Sequence, residues 1–233
     1  MSNRVEGHAV NSYLHVVKRG ARGMPITQDE KDRRRFARLL YHMNDHYKDE
    51  YWELNTASLL DFERPASYPK RRPLVGVLAW TLMPNHFHLI LKEITENGIA
   101  KFMQKLGNSM TTHHNLKYGE KGSLFQGSYK GILIDADEYL RWVASYVMVK
   151  NVFELYPGGL ATAADDFDRA WDWAQTYEFS SFASYVRVKD SPVLEKDILG
   201  ELFSNAYEFK DSARDMILSR TWEHKESKHL ILE

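Results

Sequence analysis

LVGVLAWTLMPNHFHLILK, residues 74–92, holds two apolar runs broken by Pro84-Asn85. The first run, Leu74 to Met83, reads as a β-strand, and His86 to Leu91 resumes as a second. Proline cannot donate a ladder hydrogen bond, so Pro84 belongs at the turn between two antiparallel strands or at a strand start. Successive strand residues point to opposite faces, so His86 and His88 share one face while Phe87 points to the core side. Two neutral imidazoles one strand period apart can act as adjacent ligands for one divalent cation. The plainer reading is a pair of hydrogen-bonded histidines. It weakens inside a buried strand, where each imidazole would need its own partner.

Working outward, Ser12 to Val17 (SYLHVV) is a short β-type run closed by the basic turn Lys18-Arg19-Gly20. Residues 28–46 alternate charged and apolar side chains at helical spacing, with Phe36, Leu39, Leu40 and Met43 on one stripe and Thr27 or Asp29 available as a cap. Residues 61–72 hold two prolines and a basic cluster and read as a loop. Ile99 to Leu116 is an amphipathic helix, Ser123 to Ile134 a strand, and Asp135 to Asn151 a second long helix. The order β, α, β, β, α, β, α predicts an α+β fold: a ferredoxin-like antiparallel sheet with helices on one face. After Tyr156-Pro157-Gly158-Gly159 the chain turns acidic and helix-prone. That change divides it into a first domain, residues 1–157, and a mostly helical extension, residues 158–233, with helices near 193–204 and 206–221.

The 233 residues have a formal net charge of −1, and the charge is unevenly distributed. Residues 1–150 carry 22 Lys and Arg against 16 Asp and Glu, and residues 151–233 carry 9 against 16. This asymmetry suggests a polyanion-facing front and an acidic rear, with chance segregation of surface charge as the alternative. The chain has no cysteine, which excludes disulfides, thiolate metal sites and a cysteine nucleophile. The N-terminus lacks a basic segment followed by an apolar stretch, and no apolar run reaches the roughly 20 residues that span a bilayer. A soluble, cytoplasmic protein is expected.

In the helix 135–151, Tyr139, Trp142, Val143, Tyr146 and Lys150 form one stripe, most of which should be core. A tyrosine hydroxyl is a weak nucleophile at its free pKa near 10, and a metal that polarises the attacked phosphate assists it. Spacing alone does not choose Tyr146 among 13 tyrosines. MPNHFHLIL together with Tyr13, His15, Arg19 and Gly20 upstream, GSLFQGSYK at 122–130 and EYLRWVASYVMVKN at 138–151 resembles the single-tyrosine HUH transposases. These are the insertion-sequence-200-like group, and the closest likeness within it is to the REP-associated tyrosine transposases. The likeness covers roughly residues 10–155, and a WxW…SSxxxY pattern at Trp171–Tyr185 extends it.

The resemblance implies that His86 and His88 bind Mg²⁺ or Mn²⁺ and that Tyr146 is the nucleophile. It further implies a 5′-phosphotyrosine intermediate formed on single-stranded DNA that carries a hairpin. Relatives usually place Gln or Asn four residues after the tyrosine as a third ligand, where this chain has Lys150 followed by Asn151. A charged ammonium cannot ligate a cation. Three possibilities therefore stand: Asn151 reaches the metal, water fills the place, or Lys150 contacts the phosphate; the last is our expectation. Lys18, Arg19, Arg22, Lys70, Arg71, Arg72 and Lys130 are candidate DNA contacts, while Arg33-Arg34-Arg35 reads equally well as a solvated helix face. Two other functions compete: a nucleic-acid-binding module that lost its chemistry, and a zinc hydrolase, which needs a third ligand and a general base. A monomer and a homodimer are both compatible with the sequence.

Overall fold

A computed structural model describes residues 8–186, 190–203 and 205–220. The start of the N-terminal segment and residues 221–233 of the acidic extension lie outside these. In chain order the elements are β1 (Tyr13–Arg19), α1 (Glu30–His42), α2 (Trp52–Asn55), β2 (Val75–Leu82), β3 (His86–Glu93), α3 (Gly98–Tyr118), β4 (Lys130–Ile134) and α4 (Asp137–Ser145). A π turn, Tyr146–Lys150, runs directly into α5 (Asn151–Phe153). The extension adds α6 (Gly159–Asp165), α7 (Phe167–Ala174), α8 (Phe182–Val186), α9 (Asp197–Leu202) and α10 (Ala206–Ser219).

The strands form one sheet in the order β2-β3-β1-β4, and every neighbouring pair is antiparallel. This is the ferredoxin-like α+β arrangement. Pro84 and Asn85 make the β2–β3 turn, closed by the Met83 N–H on the His86 carbonyl at 2.8 Å. The loop after β1 is sewn to that turn, with the Gly20 N–H donating to the Asn85 carbonyl at 2.8 Å. Gly20 is required there, because a Cβ would lie 2.2 Å from the Met24 carbonyl oxygen. Strand β4 is shorter than the expected 123–134. The Ser123 hydroxyl turns the chain locally onto Phe125, and Gln126 N–H bonds the Arg19 carbonyl, so this stretch crosses the end of β1 before pairing begins.

Helices α1 and α3 cover one face of the sheet, and α4 with the extension covers the other. On the first face Leu14, Val16, Phe87, Leu89 and Leu91 pack with Phe36 and Leu39 of α1 and Phe102 and Leu106 of α3. On the second, Leu78, Ala79, Ile90 and Ile134 pack with Val143, Tyr146 and Val147 and with Trp171, Phe182 and Phe209 of the extension. The second face is covered because Leu78, Ala79, Ile90 and Ile134 give it an apolar surface of its own, which must also be removed from water. The extension also closes the exposed edge of β2. Leu82 N–H bonds the Phe179 carbonyl, Ser181 N–H the Trp80 carbonyl and Glu195 N–H the Val77 carbonyl, each at 2.9 Å. An uncovered edge strand invites pairing with other chains, and here it is covered.

Two carboxylates organise the first face. Glu93 accepts the Gly98 and Ile99 N–H groups at 2.6 and 3.2 Å, capping α3 at the end where unpaired amides gather. Asp32 is buried and accepts from the Gln28 N–H, Lys117, His113 and the Tyr118 hydroxyl, clamping α1 to α3. Burial pushes its carboxyl upward, but Lys117, Tyr118, Gln28 and His113 together outweigh burial and hold it well below the ordinary carboxylate range. A depressed carboxylate contributes stability above its unfolded pKa near 3.9 and loses it as pH falls through the folded value. Stability measured by urea titration should therefore drop on acidification below about pH 4. Asp32→Asn should cost about 1–3 kcal/mol at neutral pH and flatten that acid limb.

Candidate functional site

The second face of the sheet carries the histidines. The register aligns Thr81, His88, Val17 and Lys130 in one row and His86 with Arg19 in another. Strand β2 contributes Thr81 only because of a bulge between Val77 and Ala79. The extra residue shifts the alternation and brings Thr81 to the His88 side. Its hydroxyl then donates to the Val147 carbonyl at 2.7 Å, tying the π turn to the sheet. A π turn spends one more residue per turn than an α-helix and is frequent at functional sites. Here the Asn151 N–H bonds the Tyr146 carbonyl, so Asn151, five residues on, begins the turn above Tyr146.

His86 and His88 have ring centroids 4.9 Å apart. His86 Nδ1 donates to the Asn85 side-chain oxygen at 2.6 Å, which leaves the ring's lone pair on Nε2. His88 is 0% exposed, and its Nδ1 lies 2.9 Å from Nε2 of His15, a buried histidine on β1. Burial first, then the neighbouring His15, His86, Lys150 and Arg19, hold the His88 imidazole well below its usual range. The Tyr146 ring lies 5.8 Å from His88 and 6.1 Å from His15, and stacks on Trp142 at 5.2 Å. Lys150, 3% exposed, donates to the Tyr146 hydroxyl at 3.3 Å and pairs with Glu154 at 2.7 Å.

His88 Nε2 and both amide atoms of Asn151, a residue 0% exposed, have no hydrogen-bond partner among the described residues. Such atoms cost free energy unless something else engages them. A neutral imidazole and an amide oxygen are suitable donors for a divalent cation, so the side chains fit one. Among the described residues no group of three or more His, Cys, Asp or Glu is placed to hold a metal. Any cation here would therefore rely on amide or water ligands beside the imidazoles.

The basic candidates separate. Arg19 and Lys130 lie on the histidine face, by their register with His86 and Val17. Lys18 points to the other face, where its ammonium donates to the Gly127 carbonyl and sits 4.8 Å over the Phe125 ring. Arg22 is exposed in the loop after β1. Lys70, Arg71 and Arg72 precede β2 at the end paired with Glu93, roughly 20 Å along the strand from the histidines. Arg71 is spent on the Tyr41 ring, 4.3 Å away. The Arg33-Arg34-Arg35 run is also engaged, with Arg33 over Phe179, Arg34 on Glu30 and Arg35 on Glu53. Tyr129 packs against the first-face core. Sequence reasoning quoted His15 in the upstream segment of the resemblance without a role, gave Asn85 only its place in the turn, and missed Thr81. Period-two alternation puts Tyr13 and His15 on one face, but only the strand order puts that face beside His88.

The fold and site thus define a ferredoxin-like protein with a histidine pair on the sheet and a helical tyrosine against it. Residues 69–150 match the family model described as "Transposase IS200 like". That span holds His86, His88 and Tyr146 and stops short of Asn151, so the likeness read from the sequence stands on the site-bearing segment, which is transposase-like. No curated protein sequence matches the chain. A solved structure of a REP-associated tyrosine transposase bound to a REP hairpin aligns at 14% identity and a TM-score of 0.41, covering 85% of this chain and 93% of that one. Among the described residues no helix is long and apolar enough to cross a membrane.

Proposed function

We propose that this protein cuts and rejoins single-stranded DNA, hairpin-bearing as in the REP-hairpin complex, through a covalent bond to Tyr146. The observation that carries the proposal is the meeting of Tyr146, two ligand-type imidazoles and an ammonium in one buried site. The Tyr146 oxygen attacks a backbone phosphorus, and the bond to the 3′ oxygen breaks. The phenol proton is given up and the departing oxygen gains one as a 3′-hydroxyl. The 5′ phosphate stays on the tyrosine until a 3′-hydroxyl attacks it and reverses these changes. No external energy source is needed, because the phosphoester is exchanged rather than hydrolysed.

His86, His88 and Asn151 would hold Mg²⁺ or Mn²⁺, which when bound polarises the phosphate and orients it. Lys150 stabilises negative charge as it develops on the attacking oxygen and the phosphate. Arg19 and Lys130 lead the strand to the site. Tyr146 is 0% exposed, so attack follows an opening of its cover. That burial also favours a second reading, a DNA-binding protein of the same fold without the chemistry.

Incubation with a labelled hairpin-bearing strand and Mn²⁺ separates the two: a band shift surviving a denaturing gel supports the enzyme, and binding without it supports the module. Two neighbouring substitutions should part company. Lys150→Gln should slow cleavage by about 10²-fold and leave Mn²⁺ affinity unchanged, whereas Asn151→Leu should weaken Mn²⁺ binding by at least about tenfold. Equal or faster cleavage by Lys150→Gln would remove the role assigned to the ammonium. Both are measured by single-turnover cleavage and by Mn²⁺ titration.

A further inference from the structure

His15 is a buried imidazole with an apolar setting. Its register partners are Ile90 on β3 and Ile132 on β4. A polar ring between two isoleucines is costly unless hydrogen-bonded. Its bond runs to His88, Nε2 to Nδ1 at 2.9 Å, with the ring planes only 19° apart. One nitrogen of that contact must donate and the other accept. If His88 Nδ1 carries the proton, its Nε2 presents a lone pair; if His15 donates, His88 Nε2 is protonated and cannot ligate anything. The neighbouring histidine shows the same device, since the Asn85 side-chain oxygen accepts the His86 Nδ1–H.

We infer that His15 is a positioning residue that accepts the His88 Nδ1–H, fixing the tautomer and ring orientation that turn Nε2 toward a divalent cation. This rests on the metal reading of the site given above. The partner of a ligating imidazole's second nitrogen sets both tautomer and basicity, and losing it typically costs about 10–100-fold in metal affinity. His15→Phe keeps an aromatic ring and removes the acceptor. The side-chain oxygen of His15→Gln can accept the same bond.

The test has two readouts. Long-range ¹H–¹⁵N spectra of the metal-free, ¹⁵N-labelled protein should show His88 protonated on Nδ1, and in His15→Phe protonated on Nε2. Mn²⁺ titration should show affinity weakened about 10–100-fold in His15→Phe and largely recovered in His15→Gln. A wild-type His88 protonated on Nε2, or a folded His15→Phe that binds Mn²⁺ as tightly as wild type, overturns the inference. Should His15→Phe not fold, the wild-type tautomer and the His15→Gln affinity decide. The metal reading has its own control: if His88→Ala binds Mn²⁺ as tightly as wild type, that reading falls and takes the purpose of the His15 bond with it, whatever the tautomer.

Discussion

Tyr146→Phe should abolish the covalent protein–DNA adduct and cut strand cleavage by about 10⁴-fold or more, the scale of removing a nucleophile outright. The variant should stay folded. The ring is held by Trp142 in parallel at 5.2 Å and by the edges of His88 and His15, all contacts that phenylalanine keeps. The hydroxyl and its contact with Lys150 are lost. Thermal melting should therefore move little while the denaturing-gel band disappears. An adduct that persists in Tyr146→Phe would shift the nucleophile to another residue. A wild-type protein that forms no adduct with any hairpin-bearing strand and Mn²⁺, yet binds those strands, would favour the binding module. Lys150→Gln sits between these outcomes, slowing attack without removing the attacking atom.

The sheet was legible in the sequence because its signals are local. Alternation fixed the face of His86 and His88, and Pro84-Asn85 fixed the turn between β2 and β3. The α1 stripe Phe36, Leu39 and Leu40 is buried as its spacing implies. The features that escaped depend on contacts between elements distant in sequence. The β2 bulge that turns Thr81 toward His88 leaves no mark in an uninterrupted apolar run. The π turn leaves none either. An expected continuous helix through 151 gives Lys150 the position one turn after Tyr146, and the extra residue of the π turn gives Asn151 the next turn's start. The question posed by a lysine where an amide was expected is therefore partly one of helix geometry. The basic residues show the same limit from the other side. Lys18 and Arg19 are neighbours in sequence, yet the strand sends Lys18 to the first face and Arg19 to the histidine face.

Phe209→Ala should destabilise the whole protein by about 3–5 kcal/mol, the usual cost of emptying a large aromatic site. Phe209 is 0% exposed, and its ring meets Phe203 at 4.6 Å, Trp171 at 5.6 Å, Phe182 at 5.9 Å and Tyr185 at 6.2 Å. Tyr185 in turn donates to the Leu78 carbonyl of β2, and the same cluster runs through Val147 and Tyr146. A division at residue 157 predicts that damage to α10 loosens the extension and spares the sheet, giving two urea transitions. A shared core predicts one transition, shifted to lower urea with an unchanged slope. We expect the single transition, read by fluorescence and by far-ultraviolet circular dichroism together, with Mn²⁺ binding lost at the same midpoint. The acidic extension would then be a structural wall of the site. It fills the face on which His88 and Tyr146 meet and bonds the edge of the strand that carries Thr81. Two transitions, with Mn²⁺ binding surviving the first, would return the extension to the status of a separate appendage.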